Sequence, residues 1–342
     1  MPHGEINSSP PASGQPQHAA GEHRLQNDLI RRQVEPVVSD IATETADPPV
    51  GSHLSPGAAF TTDSAITVRL SGVSETLLWP LYARACEARR PESSLRDPKA
   101  IELVHSIDYP FEAQFGRPRQ VLGLRELSFD DHVRDFLARH PRGTVVALAD
   151  GLNTQFWRLD NGQAHWLSID LPEVIEVRRA LLPDTERSLS IACSALDFRW
   201  TNSVDPRNGV FITAQGLLMY LHECEVHELI IRCAKTFPGA TMMFDAMPRL
   251  FTASIRGNTI VSAALMRGRR SGKNSYRLPP MPWSSTFESM RKRLQTHPNI
   301  SNVHYGRLPR GRGLIFKYVA PLMHSVPGVR SATPWNAVIE FS

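Results

Sequence analysis

The chain has 342 residues, 41% of them hydrophobic, with 38 basic and 34 acidic side chains and a formal net charge of +4. That length suits one large domain or two small ones, and so mild a charge selects no partner class by itself. No apolar run is long enough to cross a bilayer. The first residues, with Glu5 among them, lack the hydrophobic segment of a signal peptide. Cys86, Cys193, Cys224 and Cys233 form no CxxC pair, which argues against a disulfide framework and for reduced thiols in the cytoplasm.

The apolar share is unevenly spread. Residues 1–59 hold no aromatic side chain and no cysteine, too little to offset the entropy of ordering them, so a disordered tail over 1–60 is expected. Within it, Leu25, Leu29, Ile30 and Val34 recur at helical spacing and read as a transient helix, with a partner-binding helix as the alternative. One domain is expected over 61–342. Its helical N-terminal section, 61–142, opens with SETLLWPLYARACEARR, which sets Leu77, Leu78, Leu81, Tyr82 and Ala85 on one face. KAIELVHSI follows as a second helix. FDDHVRDFLARH is a third, with Asp130 and Asp131 placed to suit its N-terminus.

From Thr144 the pattern changes to strands alternating with helices. TVVALA, AHWLSID, LSIACSA, GVFITA and PGATMMFDAMP read as five strands. PEVIEVRRALL and ECEVHELIIRCAKTF read as helices, the second lined by Val226, Leu229, Ile230 and Cys233. Near-continuous apolar strands in such alternation imply a parallel sheet covered on both faces. This is the core, 143–248. An insertion over 249–299 comes next, then terminal strands over 300–323 in NVHYGRL and GLIFKYVA. The stretch HSVPGVRSATPWNAVIEFS has no assignment.

Ligands of open α/β sheets bind beyond the carboxyl ends of the strands. The first strand runs into ALADGLNTQ, where Gly151 suits a sharp turn, and nineteen residues later the second strand ends at Asp170. A carboxylate there can accept from both hydroxyls of a ribose, so the pair points to a nucleotide-like ligand. At the third strand end Asp197 or nearby backbone could reach an adenine edge. Gln215 and Gly216 stand at the fourth.

Taken in order, LRELSFDD, VVALADGLNTQFWRLDNG, SIDLPEV, ALDFRW and TAQGLLMYL resemble the leucine carboxyl methyltransferase group, in its branch of tetracenomycin-type polyketide O-methyltransferases. The likeness extends over roughly residues 64–320. It implies an α/β class I methyltransferase fold, a Rossmann-like sheet with helices on both faces and an antiparallel terminal hairpin. It also implies S-adenosyl-L-methionine as methyl donor, and an insertion that serves as a substrate lid, its Tyr276, Met281, Trp283 and Phe287 supplying apolar bulk to enclose the acceptor. By the same resemblance Asp170 binds the ribose and Arg125 holds the cofactor's carboxylate. The family's Gly-x-Gly turn is Ala149-Asp150-Gly151 here, and alanine fits if its φ is negative. The adenine-contacting Asp-Leu pair aligns with Ala195-Leu196, so the carboxylate is either lost or supplied by Asp197. The glutamate at the fourth strand end is Gln215, an amide that keeps hydrogen-bonding capacity without the charge.

Three other features complete the reading. His222, Cys224 and His227 suggest zinc, but His222 and Cys224 point about 200° apart on a helix, so a plain helix N-terminus is expected and no metal. His222, near the mouth of the fourth strand, is also the candidate general base. Residues 249–313 carry thirteen Lys or Arg against the single acid Glu288; this reads as a solvated surface, with an anionic substrate, a phospholipid surface or nucleic acid as alternatives. Nucleic acid is not expected, because no binding motif accompanies the charge. The expected activity is O-methylation of a hydroxyl or carboxyl group on a small hydrophobic molecule. The rivals are a catalytically impaired relative acting as a binding protein and a dinucleotide-dependent oxidoreductase, which calls for a fuller GxGxxG.

Overall fold

The computed structural model describes residues 65–248, 279–319, 326 and 333–342. The chain divides into Met1–Phe60 and Thr61–Ser342. The expected tail at 1–60 lies outside the described residues, and the sheet and its helices all belong to the second unit.

Seven strands form one sheet in the order β3-β2-β1-β4-β5-β7-β6. They are β1 (Thr144–Leu148), β2 (His165–Asp170), β3 (Ser188–Ala192), β4 (Val210–Ala214), β5 (Thr241–Ala246), β6 (Ile300–Tyr305) and β7 (Trp335–Phe341). The first five run parallel, and β7 pairs antiparallel with both β5 and β6. This is the class I methyltransferase arrangement. Strand side chains alternate between faces, and here both faces are buried. Val146, Leu167, Ile212, Met242 and Ile339 join one core. Their neighbours Val145, Trp166, Phe211, Met243 and Val338 join the other.

The helices supply the matching stripes. In chain order they are α1 (Gly72–Glu75), α2 (Leu78–Ala88), α3 (Pro98–Ser106), α4 (Phe111–Phe115), α5 (Val121–Arg139), α6 (Gln155–Leu159), α7 (Pro172–Leu181), α8 (Glu223–Thr236) and α9 (Phe287–Leu294). Helix α8 brings Val226, Leu229, Ile230 and Cys233 to the first core, as their spacing implies, and α9 adds Phe287, Met290 and Leu294. Phe129, Val133, Phe136 and Leu137 of α5 cover the opposite face with Phe156 and Leu159 of α6. Helices α2 to α4 pack among themselves and onto Leu152 and Leu182. Local signals set the starts. Asp97 caps α3 by accepting from Ala100 N at 3.0 Å, and Pro98 and Pro172 open α3 and α7, where no N–H is needed.

Three expectations change. Helix α5 begins at Val121, so Asp130 is interior and buried rather than terminal. GLIFKYVA forms a π-helical turn over Ile315–Val319 instead of the second hairpin strand. That strand is WNAVIEF, from the stretch left unassigned. A strand held between two others must be apolar at successive residues. Ala337, Val338 and Ile339 meet that demand, whereas Lys317 interrupts GLIFKYVA. Third, Trp283 and Phe287 of the insertion are core residues, only 4% and 2% exposed. Phe287 stacks on Tyr305 and meets Trp335 edge-on. Of the lid expected over 249–299, residues 249–278 lie outside the described residues.

Candidate functional site

The carboxyl ends of β1, β2, β4 and β5 place the predicted residues side by side. After β1 the chain turns through Ala149 and Gly151, whose φ angles are 52° and 50°. The condition of a negative φ at Ala149 is not met. A side chain in the left-handed region costs roughly 1–2 kcal/mol, because Cβ crowds the following carbonyl. Gly151 is required twice over. Its φ favours glycine, and a Cβ there would lie 3.0 Å from that of Leu77. Its amide donates to Asp170 Oδ2 at 2.7 Å, while Leu171 N donates to Oδ1 at 2.8 Å. Loop and carboxylate are therefore one unit, as the spacing implied. Burial raises the Asp170 carboxyl to about 6, opposed by the two backbone donors, with Asp150 adding to the rise and Arg178 reducing it.

Arg178 of α7 is a residue that sequence reasoning did not single out. Its guanidinium donates to the carbonyls of Gly151 (2.6 Å) and Asn153 (3.2 Å) and pairs with buried Asp150 at 3.1 Å. It staples the turn from beneath, and an arginine within the helix of a strand–helix unit carries no motif that would announce it.

At β4 the chain passes Gln215 and Gly216, the latter at φ 74°. Gly216 N donates to Asp245 Oδ1 at 2.5 Å, and Arg125 Nη1 donates to Asp245 Oδ2 at 3.1 Å. A Cβ on Gly216 would stand 3.4 Å from Arg125 Nη1, so glycine leaves the guanidinium its room. Arg125 Nε is buried and has no partner among the described residues. Gln215 Nε2 donates to Glu126 Oε1 at 2.5 Å. Glu126, on α5 beside Arg125, also accepts from Arg158 Nη2 at 2.9 Å. Nearby Tyr220 has its phenol raised, chiefly by burial, and shares a hydrogen bond with Thr76.

The β3 end behaves differently. Ala195 is buried, its carbonyl accepting from Trp200 Nε1 at 3.1 Å, and Leu196 packs against the main core. Asp197 starts a 3-10 turn, accepting from Arg199 N at 3.2 Å and from its guanidinium at 2.9 Å. That pairing holds its carboxyl down at about 2. His222 is exposed at the start of α8, where its N–H donates to Glu225 Oε2 at 2.7 Å. Cys224 is exposed and Cys233 buried.

Residues 78–234 match the model of the leucine carboxyl methyltransferase family. The tetracenomycin polyketide synthesis O-methyltransferase TcmP of Streptomyces glaucescens is 35% identical over 184 residues, 53% of this chain and 68% of that protein. This chain belongs to the leucine carboxyl methyltransferase family. A relative in Gibberella zeae, the S-adenosyl-L-methionine-dependent methyltransferase dpfgK, is 28% identical over 50% of this chain and 63% of its own. A putative S-adenosyl-L-methionine-dependent methyltransferase of Mycolicibacterium gilvum is 30% identical over 44% and 59%. The chain thus spans somewhat less than two thirds of these two relatives. The methyltransferase domain of bacterial CtHen1-CN, a solved structure, overlays 64% of this chain and 99% of its own at 13% identity, with a TM-score of 0.41.

S-adenosylmethionine is the methyl donor that comes with the family. The residues present fit it: the Asp170 carboxylate would accept from ribose hydroxyls, and the buried Arg125 Nε, without a partner among the described residues, would donate to a carboxylate. Ala149 is the one misfit, through its φ rather than its size.

Proposed function

We propose that the chain moves the methyl group of S-adenosylmethionine to a hydroxyl or carboxyl oxygen of a small hydrophobic or polyketide-like molecule. The observation that carries this reading is the row of complementary groups along the strand ends. Asp170 and Gly151 serve the ribose, and Arg125 with Gln215 serves the amino-acid end. Ala195, Leu196 and Asp197 at β3 are left for the adenine, through backbone groups and apolar surface, since Arg199 already engages the Asp197 carboxylate. The cofactor brings a methyl group already activated on sulfur, so the protein's task is alignment and exclusion of water. A carboxylate acceptor needs no base; for a phenol, the exposed His222 is poorly placed to act as one. The 35% identity to TcmP supports oxygen as the accepting atom.

The test is incubation of the full chain with methyl-labelled S-adenosylmethionine and a panel of polyketide phenols and aromatic carboxylic acids. Mass spectrometry would then locate the label. Labelled methyl ether or ester is expected. Labelling only on carbon or nitrogen would refute the choice of oxygen, and S-adenosylhomocysteine binding without any turnover would favour the non-catalytic relative.

A further inference from the structure

Glu126 lies at the meeting point of the site and a buried charge network, and its partners dictate what Gln215 can offer a ligand. Its side chain is 1% exposed, held by Arg158 Nη2 at 2.9 Å and Arg84 Nη1 at 3.5 Å. Arg158 Nη2 donates to its Oε2 and Arg84 Nη1 to its Oε1, so both carboxylate oxygens already serve as acceptors. The 2.5 Å contact with Gln215 therefore has one permitted polarity, with the amide nitrogen toward Glu126. The reversed amide would set two oxygens against each other. Gln215 Oε1 is thereby turned away from Glu126, and it takes no donor from the described residues.

We infer that Glu126 is a positioning residue which fixes Gln215 as an acceptor, so that the pair recognises an ammonium group beside the Arg125 guanidinium. An acceptor from Gln215 and a cation from Arg125 then flank Gly216, a layout matched to an amino-acid zwitterion. The inference rests on the cofactor reading above and adds to it the residue that sets the polarity of the pocket. It also accounts for the amide at position 215: a carboxylate there would set acceptor against acceptor at 2.5 Å from Glu126, whereas an amide donates to it.

Calorimetric titration of the full-length chain separates this device from a general structural role. The ligands are S-adenosylhomocysteine and its analogue lacking only the amino group. Gln215→Leu is expected to weaken S-adenosylhomocysteine about ten- to hundredfold, as for loss of a hydrogen bond to a charged group, and to leave the analogue unchanged. Glu126→Gln, which frees the amide to turn over, should give the same pattern. Equal losses on both ligands, or no loss on either, would overturn the inference while leaving the cofactor reading intact. Wild-type protein that binds neither ligand would overturn both. Should Glu126→Gln fail to fold, Glu126→Asp, which keeps a carboxylate beside both arginines but draws it back from Gln215, is expected to give the same pattern, and equal losses on both ligands would overturn the inference.

Discussion

Ala149 and Asp170 are the two residues whose chemistry the structure alters most. At φ 52° an alanine is strained, and Ala149→Gly removes that strain while adding about 0.5–1 kcal/mol of chain entropy cost. The net expectation is a gain of up to about 1 kcal/mol in urea unfolding, together with tighter S-adenosylhomocysteine binding as the Cβ leaves the turn. Lower stability would mean that the turn tolerates alanine without strain. For Asp170 the sign follows from a carboxyl raised to about 6. Its folded pKa lies above the unfolded one, so the stability this group contributes is complete below the ordinary carboxylate range and is lost as pH rises through 6. Cofactor binding runs the opposite way, since ribose hydroxyls donate best to the ionised form. Affinity should therefore rise between about pH 5 and 7, and Asp170→Asn should flatten the profile. At neutral pH, Asp170→Ala is expected to cost about 1–3 kcal/mol of binding. The meeting of Gly151 with Asp170 was legible because strand end and spacing coincide in the sequence. The strain at Ala149 was not, because residue type does not report φ.

Among the elements, α2, α3, α5 and α6 are joined by charges that a linear reading assigns to the surface. Arg158 donates to Asp130 (2.8 Å), Asp97 (2.8 Å) and Glu126 (2.9 Å), with its side chain 4% exposed. The Thr154 hydroxyl adds one donor, shared between the two oxygens of Asp97 at 2.8 and 2.7 Å. Removing the central cation takes a partner from three buried carboxylates and leaves Asp130 with no cation among the described residues, since Arg84 reaches only Asp97 and Glu126 of the three. Arg158→Ala should lose about 3–5 kcal/mol of stability, the range for breaking a buried pair. A shift in denaturation midpoint too small for that loss would show that water compensates. Asp130 read as a helix-start residue because the sequence shows its neighbours and not Arg158, which reaches it from another helix. Periodicity revealed the helices themselves, down to the buried face of α8. Trp283 and Phe287 looked like acceptor-lining residues for the same reason that Asp130 looked terminal: apolar bulk in an insertion does not disclose what it packs on.

At the scale of the molecule, five parallel strands were readable as short apolar runs, those of β1, β2 and β4 leading on to the helices α6, α7 and α8. The closing strand was not, because WNAVIEF is selected by β5 and β6 on either side and by no local turn signal. The tail offers a separate test. Deleting residues 1–59, which contain no aromatic side chain, is expected to leave melting temperature and S-adenosylhomocysteine affinity unchanged. A fall of many degrees would show that those residues join the core.

The position of β7 also sets a timetable for synthesis. Roughly ninety residues separate the end of β5 at Ala246 from Trp335, and β6 is made in between. At ~5–20 residues per second, β5 waits about 5–20 s on the ribosome with one edge open and Phe244 without Trp335 against it. Open apolar edges pair with other chains. A chain halted just before Trp335 should therefore accumulate with chaperones or in the insoluble fraction, and supplying WNAVIEF as a separate peptide should partly rescue it. Solubility of the halted chain equal to that of the whole would show that β5 and β6 close on each other without their intended neighbour.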